Sequence, residues 1–177
     1  MATPAPASIV KGFVMQHQQQ HNWCWAAVAA SIQNFFNPPA SQVTQCQIAT
    51  RAFPNISGGC ESGGKPNTAC NLPNSLTTVL GAWHRLAAAP ILRPLSFSEI
   101  QRTIDAGFPI PLRIVWDDDP TTAHVAVITG YIPGAIPRVQ VDDPFYDRSV
   151  VDLQTLVSAY QGVGMWERTY PVLGGQQ

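Results

Sequence analysis

Charge is scarce in this chain. Charged residues make up only 12% of the 177, against roughly 25% in an average globular domain. Gln, Asn, Ser and Thr must therefore cover much of the surface, a leaning that suits an exported protein. The balance is close to even, with a net charge of −1. No basic excess exists to hold nucleic acid or an anionic membrane surface. Long apolar runs are missing too, and the longest falls far short of the ~20 residues that span a bilayer. The opening MATPAPASIVKGF has no basic segment followed by an apolar one, so it does not read as a signal peptide. No internal repeat is visible. What the chain has in quantity is hydrophobic residues, 45%, together with 16 prolines and 13 glycines. That composition supports one sizeable core with many turns and argues against a helical bundle.

One segment stands out, QHQQQHNWCWAAVAASIQNFF. Asn22 is placed to act as N-cap, which would set Cys24 at about the second position of a helix running from about Trp23 to Phe36. Trp25, Val28, Ile32 and Phe36 recur on one face, and Asn37-Pro38-Pro39 ends the run. A thiol at a helix start meets the positive end of the macrodipole, which favours thiolate, the nucleophilic form. The plain alternative is a small buried hydrophobe.

Three further cysteines follow, Cys46, Cys60 and Cys70. The polar stretch FPNISGGCESGGKPNTACNLPN is the kind of loop a disulfide pins. Cys60 with Cys70 is the first expectation and Cys46 with Cys60 the second, since spacing does not fix connectivity. A zinc site from Cys46, Cys60, Cys70 and His84 is conceivable, but its spacing matches no ligand pattern.

Along the chain, residues 1–15 read as a lead-in with a short strand at Ile9 to Met15. Helices are expected at about Ser41 to Ala52, Asn74 to Arg85, and in SFSEIQRTIDAG, where Ser96 and Glu99 make a capping box and Gly107 a helix stop. The character then changes: PIPLRIVW, AHVAVITGY, RVQVDDPF and GMWERTYPV read as strands. SVVDLQTLVSAY reads as a short helix or a strand running into one. A helical first half and an antiparallel second half indicate an α+β fold of two lobes. A site built from both would lie in the cleft between them.

A cysteine nucleophile needs a base. His17 and His21 lie in the polar lead-in and His84 on an expected helix surface. His124 differs, because it opens an apolar strand just after the turn-forming DDDPTT. On the next strand Asp142 and Asp143 precede Pro144. Side chains alternate along a strand, so Asp143 shares a face with Val139 and Val141, and Asp142 with Arg138 and Gln140. The apolar face should be inner, which favours Asp143 as the acid that orients the imidazole, with Asp142 as the fallback. Asp117, Asp118 and Asp119 read as a solvated turn. For an oxyanion, the Cys24 amide is one donor, and Gln16, Gln18, Gln19 and Gln20 are candidates for the second.

In order and spacing these residues resemble the papain-like cysteine peptidases: Gln18, then Cys24-Trp25 at a helix start, then His124 opening a strand, then Asp143 on the following strand. NWCWAAVAASI, CNLPN, IDAGFPIPLRIVW, HVAVITGY and VDDP look most like the compact bacterial branch that includes plant-pathogen type III effector proteases. The likeness spans roughly Gln16 to Pro144 and, more weakly, GMWERTYPV. One departure is Ala123, where relatives often carry Gly.

The resemblance implies a single papain-like domain over 1–177, with a helical lobe at about 16–105 and a β-lobe at about 106–177. It implies hydrolysis of peptide bonds through a thioester, with Cys24 as nucleophile, His124 as base, Asp143 as orienter and Gln18 as oxyanion donor. No metal or other cofactor is called for. The expected protein is a monomer, secreted or translocated as an effector, acting on a protein or peptide substrate. Two alternatives share the scaffold: a deamidase or transglutaminase acting on glutamine side chains, and a retired binding module.

Overall fold

The computed structural model describes residues 8–116, 119 and 122–174. Asp117, Asp118 and the first seven residues of the expected lead-in lie outside that set. The chain forms the mixed helix-and-sheet fold expected of an α+β protein. Its elements are β1 (Ser8–Ile9), α1 (Cys24–Phe36), α2 (Gln45–Ala52), β2 (Glu61–Ser62), β3 (Lys65–Pro66), α3 (Leu76–Ala82), α4 (Phe97–Asp105), β4 (Ile110–Trp116), β5 (Ala123–Ile132), β6 (Arg138–Asp143), β7 (Asp147–Asp152), α5 (Leu153–Ser158) and β8 (Gly164–Thr169).

Helix α1 is the hub. It is buried from Trp25 to Gln33 and packs on α2, α3 and β5. The short side chains of Ala26, Ala27, Ala29 and Ala30, all buried, let those neighbours approach on several sides at once. The expected one-faced amphipathic helix is thus buried on every face from Trp25 to Gln33. Its start also differs from expectation. Trp23 occupies the cap position without a side-chain cap, and Cys24 is the first helical residue. Asn22 is no N-cap because its side chain is committed elsewhere: Nδ2 donates to the Asn71 carbonyl at 3.0 Å, and its own backbone N–H donates to Asn71 Oδ1 at 2.9 Å.

The second expected helix shortens to α2. Its capping box pairs Thr44 with Gln47, after a 3-10 turn at Pro39–Ser41. The third shortens to α3, which leaves His84 exposed in a turn at φ 54° and Arg85 buried, donating to Gln33 and Asn37. Helix α4 has the Ser96–Glu99 capping box, and Gly107 follows it at φ 85°. The Ile9–Met15 strand is reduced to β1.

Strands β2 and β3 pair with each other, and the main antiparallel sheet has the order β7-β6-β5-β4-β8, with β1 on β5. Strand β5 is long enough to pair β4 along Ala123–Ile128 and β1 at Gly130–Tyr131. Beneath β1 the backbone needs Gly130, since a Cβ there would stand 2.8 Å from the Ser8 carbonyl oxygen and 2.9 Å from Ile9. SVVDLQTLVSAY resolves as strand β7 running into α5.

Cys60 and Cys70 form a disulfide, while Cys46 and Cys24 are free. That excludes the Cys46–Cys60 pairing and dismantles the zinc set, because two of its four ligands are spent on each other. The disulfide closes a loop that, with the two residues after it, grips the segment before and into α1. Trp23 Nε1 donates to the Cys70 carbonyl at 2.6 Å, Trp25 Nε1 to the Leu72 carbonyl at 3.0 Å, and Gln20 Nε2 to the Asn67 carbonyl at 2.8 Å.

Gly130→Ala is expected to destabilise the protein by about 1–3 kcal/mol, because β1 must shift to admit the methyl group. Chemical denaturation checks this, and an unchanged midpoint would contradict the packing described.

Candidate functional site

Cys24 reaches the site from the first turn of α1, whose leading amides have no partner within the helix. It is half-buried and lines a groove with residues of the strand half. Strand β5 carries His124 toward it, 8% exposed. On β6, Asp142 sits opposite Val127, so Asp143 is one residue nearer to His124. Cross-strand neighbours at this offset touch on one face.

His124 Nε2 stands 2.9 Å from both oxygens of Asp143. An ionised carboxylate only accepts, so the proton of this bond lies on Nε2. Cys24 lines the same pocket as the imidazole and favours its charged form, and Nδ1 is the ring nitrogen not committed to Asp143. Burial by itself would lower the His124 pKa, but the Asp143 carboxylate and the nearby Cys24 prevail and raise it to about 9. Asp143 moves the opposite way. Its burial works against ionisation, yet the His124 contact and the backbone N–H groups of Tyr146 and Phe145 bring its pKa below the usual carboxylate value.

The carboxylate is fixed from all sides. Oδ1 accepts from the N–H groups of Phe145 at 2.8 Å and Tyr146 at 2.9 Å, and Oδ2 from the Tyr160 hydroxyl at 2.8 Å. Tyr160 is buried, and burial, with the nearby Asp143 charge, pushes its own ionisation out of reach. Nothing in the sequence singled Tyr160 out, since it follows the short α5 and reaches Asp143 only through the fold. Two aromatic rings flank the imidazole: Trp116 lies nearly parallel at 6.1 Å between centroids, and Tyr146 meets it edge-on at 5.9 Å. They too went unflagged, as a strand end and a loop residue.

Asp142 has separate partners. It accepts from Thr129 Oγ1 at 2.6 Å and from Arg148 Nε at 2.5 Å, on the face it shares with Gln140. Of the glutamine run, Gln18 lines the pocket of about 300 Å³ that contains Cys24, His124 and Trp116. Its backbone N–H donates to the Pro144 carbonyl at 2.9 Å. Its amide group donates to the carbonyls of Gln20 at 3.1 Å and His21 at 2.6 Å. Gln16, Gln19 and Gln20 face elsewhere, toward Ser31 and Gln45, Gln45 and Cys46, and Asn67 respectively. His17 and His21 are exposed, with His17 Nδ1 3.7 Å from Asp147.

A cysteine at a helix head, in one pocket with a carboxylate-anchored imidazole, is the arrangement of a thiol-dependent acyl-transfer enzyme. Comparison with family models places the chain more narrowly. Residues 10–172 match the Peptidase_C39 like family, and the chain belongs to it. That is a family of papain-like cysteine peptidases, whose substrates are proteins. No curated protein matches the sequence.

The charged imidazole links stability to pH. A folded pKa of about 9, above the ordinary 6.5, stabilises the native state fully below about pH 6.5. That contribution is lost as pH rises through about 9. It is on the order of 1–3 kcal/mol, or a few degrees of thermal midpoint. Midpoints measured across this window should fall in the native protein and stay flatter in His124→Gln. Parallel curves would contradict the assignment.

Proposed function

We propose that this protein cleaves peptide bonds through a thioester, with Cys24 as nucleophile, His124 as acid and base, Asp143 as orienter, and Gln18 with the Cys24 amide as oxyanion donors. The observation that carries the reading is the single imidazole bonded to Asp143 and sharing one pocket with Cys24, whose presence favours the charged ring. We read the surroundings as a papain-like cleft, the helical half (about 16–105) supplying the thiol and the sheet half (about 106–177) the base. Residues from both halves line one groove, which supports this.

In the first step the Cys24 sulfur, its proton held by His124, attacks the scissile carbonyl carbon. The oxygen gains the electron pair and turns toward the Cys24 N–H and the Gln18 amide. A negative oxygen is a stronger acceptor than the neutral carbonyls of Gln20 and His21 that this amide now serves. Collapse expels the amine, which leaves with the proton from His124. The neutral imidazole then takes a proton from water as the water oxygen attacks the thioester. The acid departs and sulfur and imidazole are restored. Through both steps Asp143, held by Tyr160 and two backbone amides, keeps the ring in place and offsets its charge.

Cys24→Ala should abolish turnover, a loss of at least about 10³-fold, with an unchanged circular dichroism spectrum. Mass spectrometry of a proteome treated with the native protein reads the reaction itself. New peptide termini are expected. A mass increase of about one dalton on glutamines without cleavage would overturn peptidase action in favour of deamidation, and an alanine variant as active as the native protein would remove Cys24 from the mechanism.

A further inference from the structure

Resting on the peptidase reading, we infer that the acyl side of the groove selects a substrate with an acidic side chain, taken by Arg168. The groove has a volume of about 870 Å³ and runs from Cys24 past Asn74 and Leu76 to the faces of β4 and β8. His124 lines a smaller pocket that shares Cys24 with this groove, and does not line the groove itself. The leaving amine must take its proton from His124, so it occupies the smaller pocket, and the acyl half of the substrate occupies the larger groove.

The groove holds an arrangement that a regular strand would forbid. Consecutive residues of a strand point to opposite faces, yet Glu167 and Arg168 of β8 both line this groove, together with Arg113 of β4. The cause is a register shift. Arg113 pairs with Arg168 and Ile114 with Trp166, which leaves Glu167 unpaired between them. Bulges of this kind re-aim side chains beside functional sites.

The three charges do not cancel. Arg113 Nη1 donates to Glu167 Oε2 at 2.5 Å, and Arg168 Nη2 reaches Oε1 at the outer limit of 3.5 Å. Both glutamate oxygens are therefore engaged, and among the described residues lining the groove Glu167 is the one acid against two arginines. One positive charge is left over, and it resides on Arg168. Its Nε is buried and has no hydrogen-bond partner among the described residues. A desolvated guanidinium donor without an acceptor is costly. Nε is closed to solvent, so a substrate carboxylate meets the guanidinium through the part of the side chain that stays open, 30% of it. An aspartate or glutamate side chain of the substrate cancels the surplus charge. A lysine or arginine would meet a glutamate already shared by two cations.

The test is a positional-scanning library of capped hexapeptides. The native protein should prefer Asp or Glu over Asn or Gln by about tenfold in kcat/KM at one position on the acyl side. Raising salt to about 0.5 M should shrink the preference. R168E should invert it toward Lys or Arg, a gain that a misfolded variant could not show. Equal rates for Glu and Gln, or a native preference for Lys, would overturn the subsite while leaving the peptidase reading standing. If no peptide in the library is cleaved, the peptidase reading fails. Fluorescence anisotropy of labelled Glu and Gln peptides on the Cys24→Ala variant, which needs no turnover, then decides the subsite: about tenfold tighter binding of the Glu peptide supports it and equal affinities overturn it.

Discussion

The imidazole of His124 stands between a thiol on a helix and a carboxylate on a strand, and the rest of the structure exists around that contact. A buried histidine loses hydration when charged, so burial opposes the protonated form. Asp143 and Cys24 reverse the outcome, and the pKa rises to about 9. The reversal depends on Asp143 remaining ionised although it is 2% exposed. Two backbone amides and the Tyr160 hydroxyl make that possible by supplying donors in place of water. The charge on the ring is thus secured three residues deep.

The frame keeps both sides of this contact still. On the helical side, the first residue of α1 is held by its context rather than by a cap. Trp23 donates its indole N–H to the carbonyl of Cys70, which closes the disulfide loop, Trp25 donates to Leu72 two residues beyond it, and Asn22 donates twice to Asn71. On the sheet side, β5 lies between β4 and β6, and antiparallel pairing fixes which aspartate meets the ring. Gln18 ties the two together through its bond to the Pro144 carbonyl, one residue past Asp143.

Much of this was legible in the sequence because it follows from local pattern. The helix after Cys24, the four strands, the Ser96–Glu99 capping box and the choice of face that separates Asp143 from Asp142 are periodicity and alternation. The Cys60–Cys70 pairing was legible as a short polar loop. What escaped depends on distant parts of the chain. Asn22 has the chemistry of an N-cap, but Asn71, far along the chain, offered it two bonds instead. Tyr160 and Trp116 sit in unremarkable local sequence and acquire their roles by packing. The side-by-side placement of Glu167 and Arg168 comes from a register shift against β4, which GMWERTYPV alone does not reveal. Membership of the Peptidase_C39 like family over residues 10–172 agrees with the resemblance carried by the cysteine, histidine and aspartate in that order.

The most direct measurement is an NMR titration of the His124 ring, isotopically labelled, in the native protein and in the Cys24→Ala and Asp143→Asn variants. The native ring should keep its charge through neutral pH and titrate near 9, and each variant should titrate at lower pH, with Asp143→Asn the more affected. A ring that titrates at the ordinary value in the native protein, or at one common pH in all three, would show that the imidazole does not join the thiol to the carboxylate.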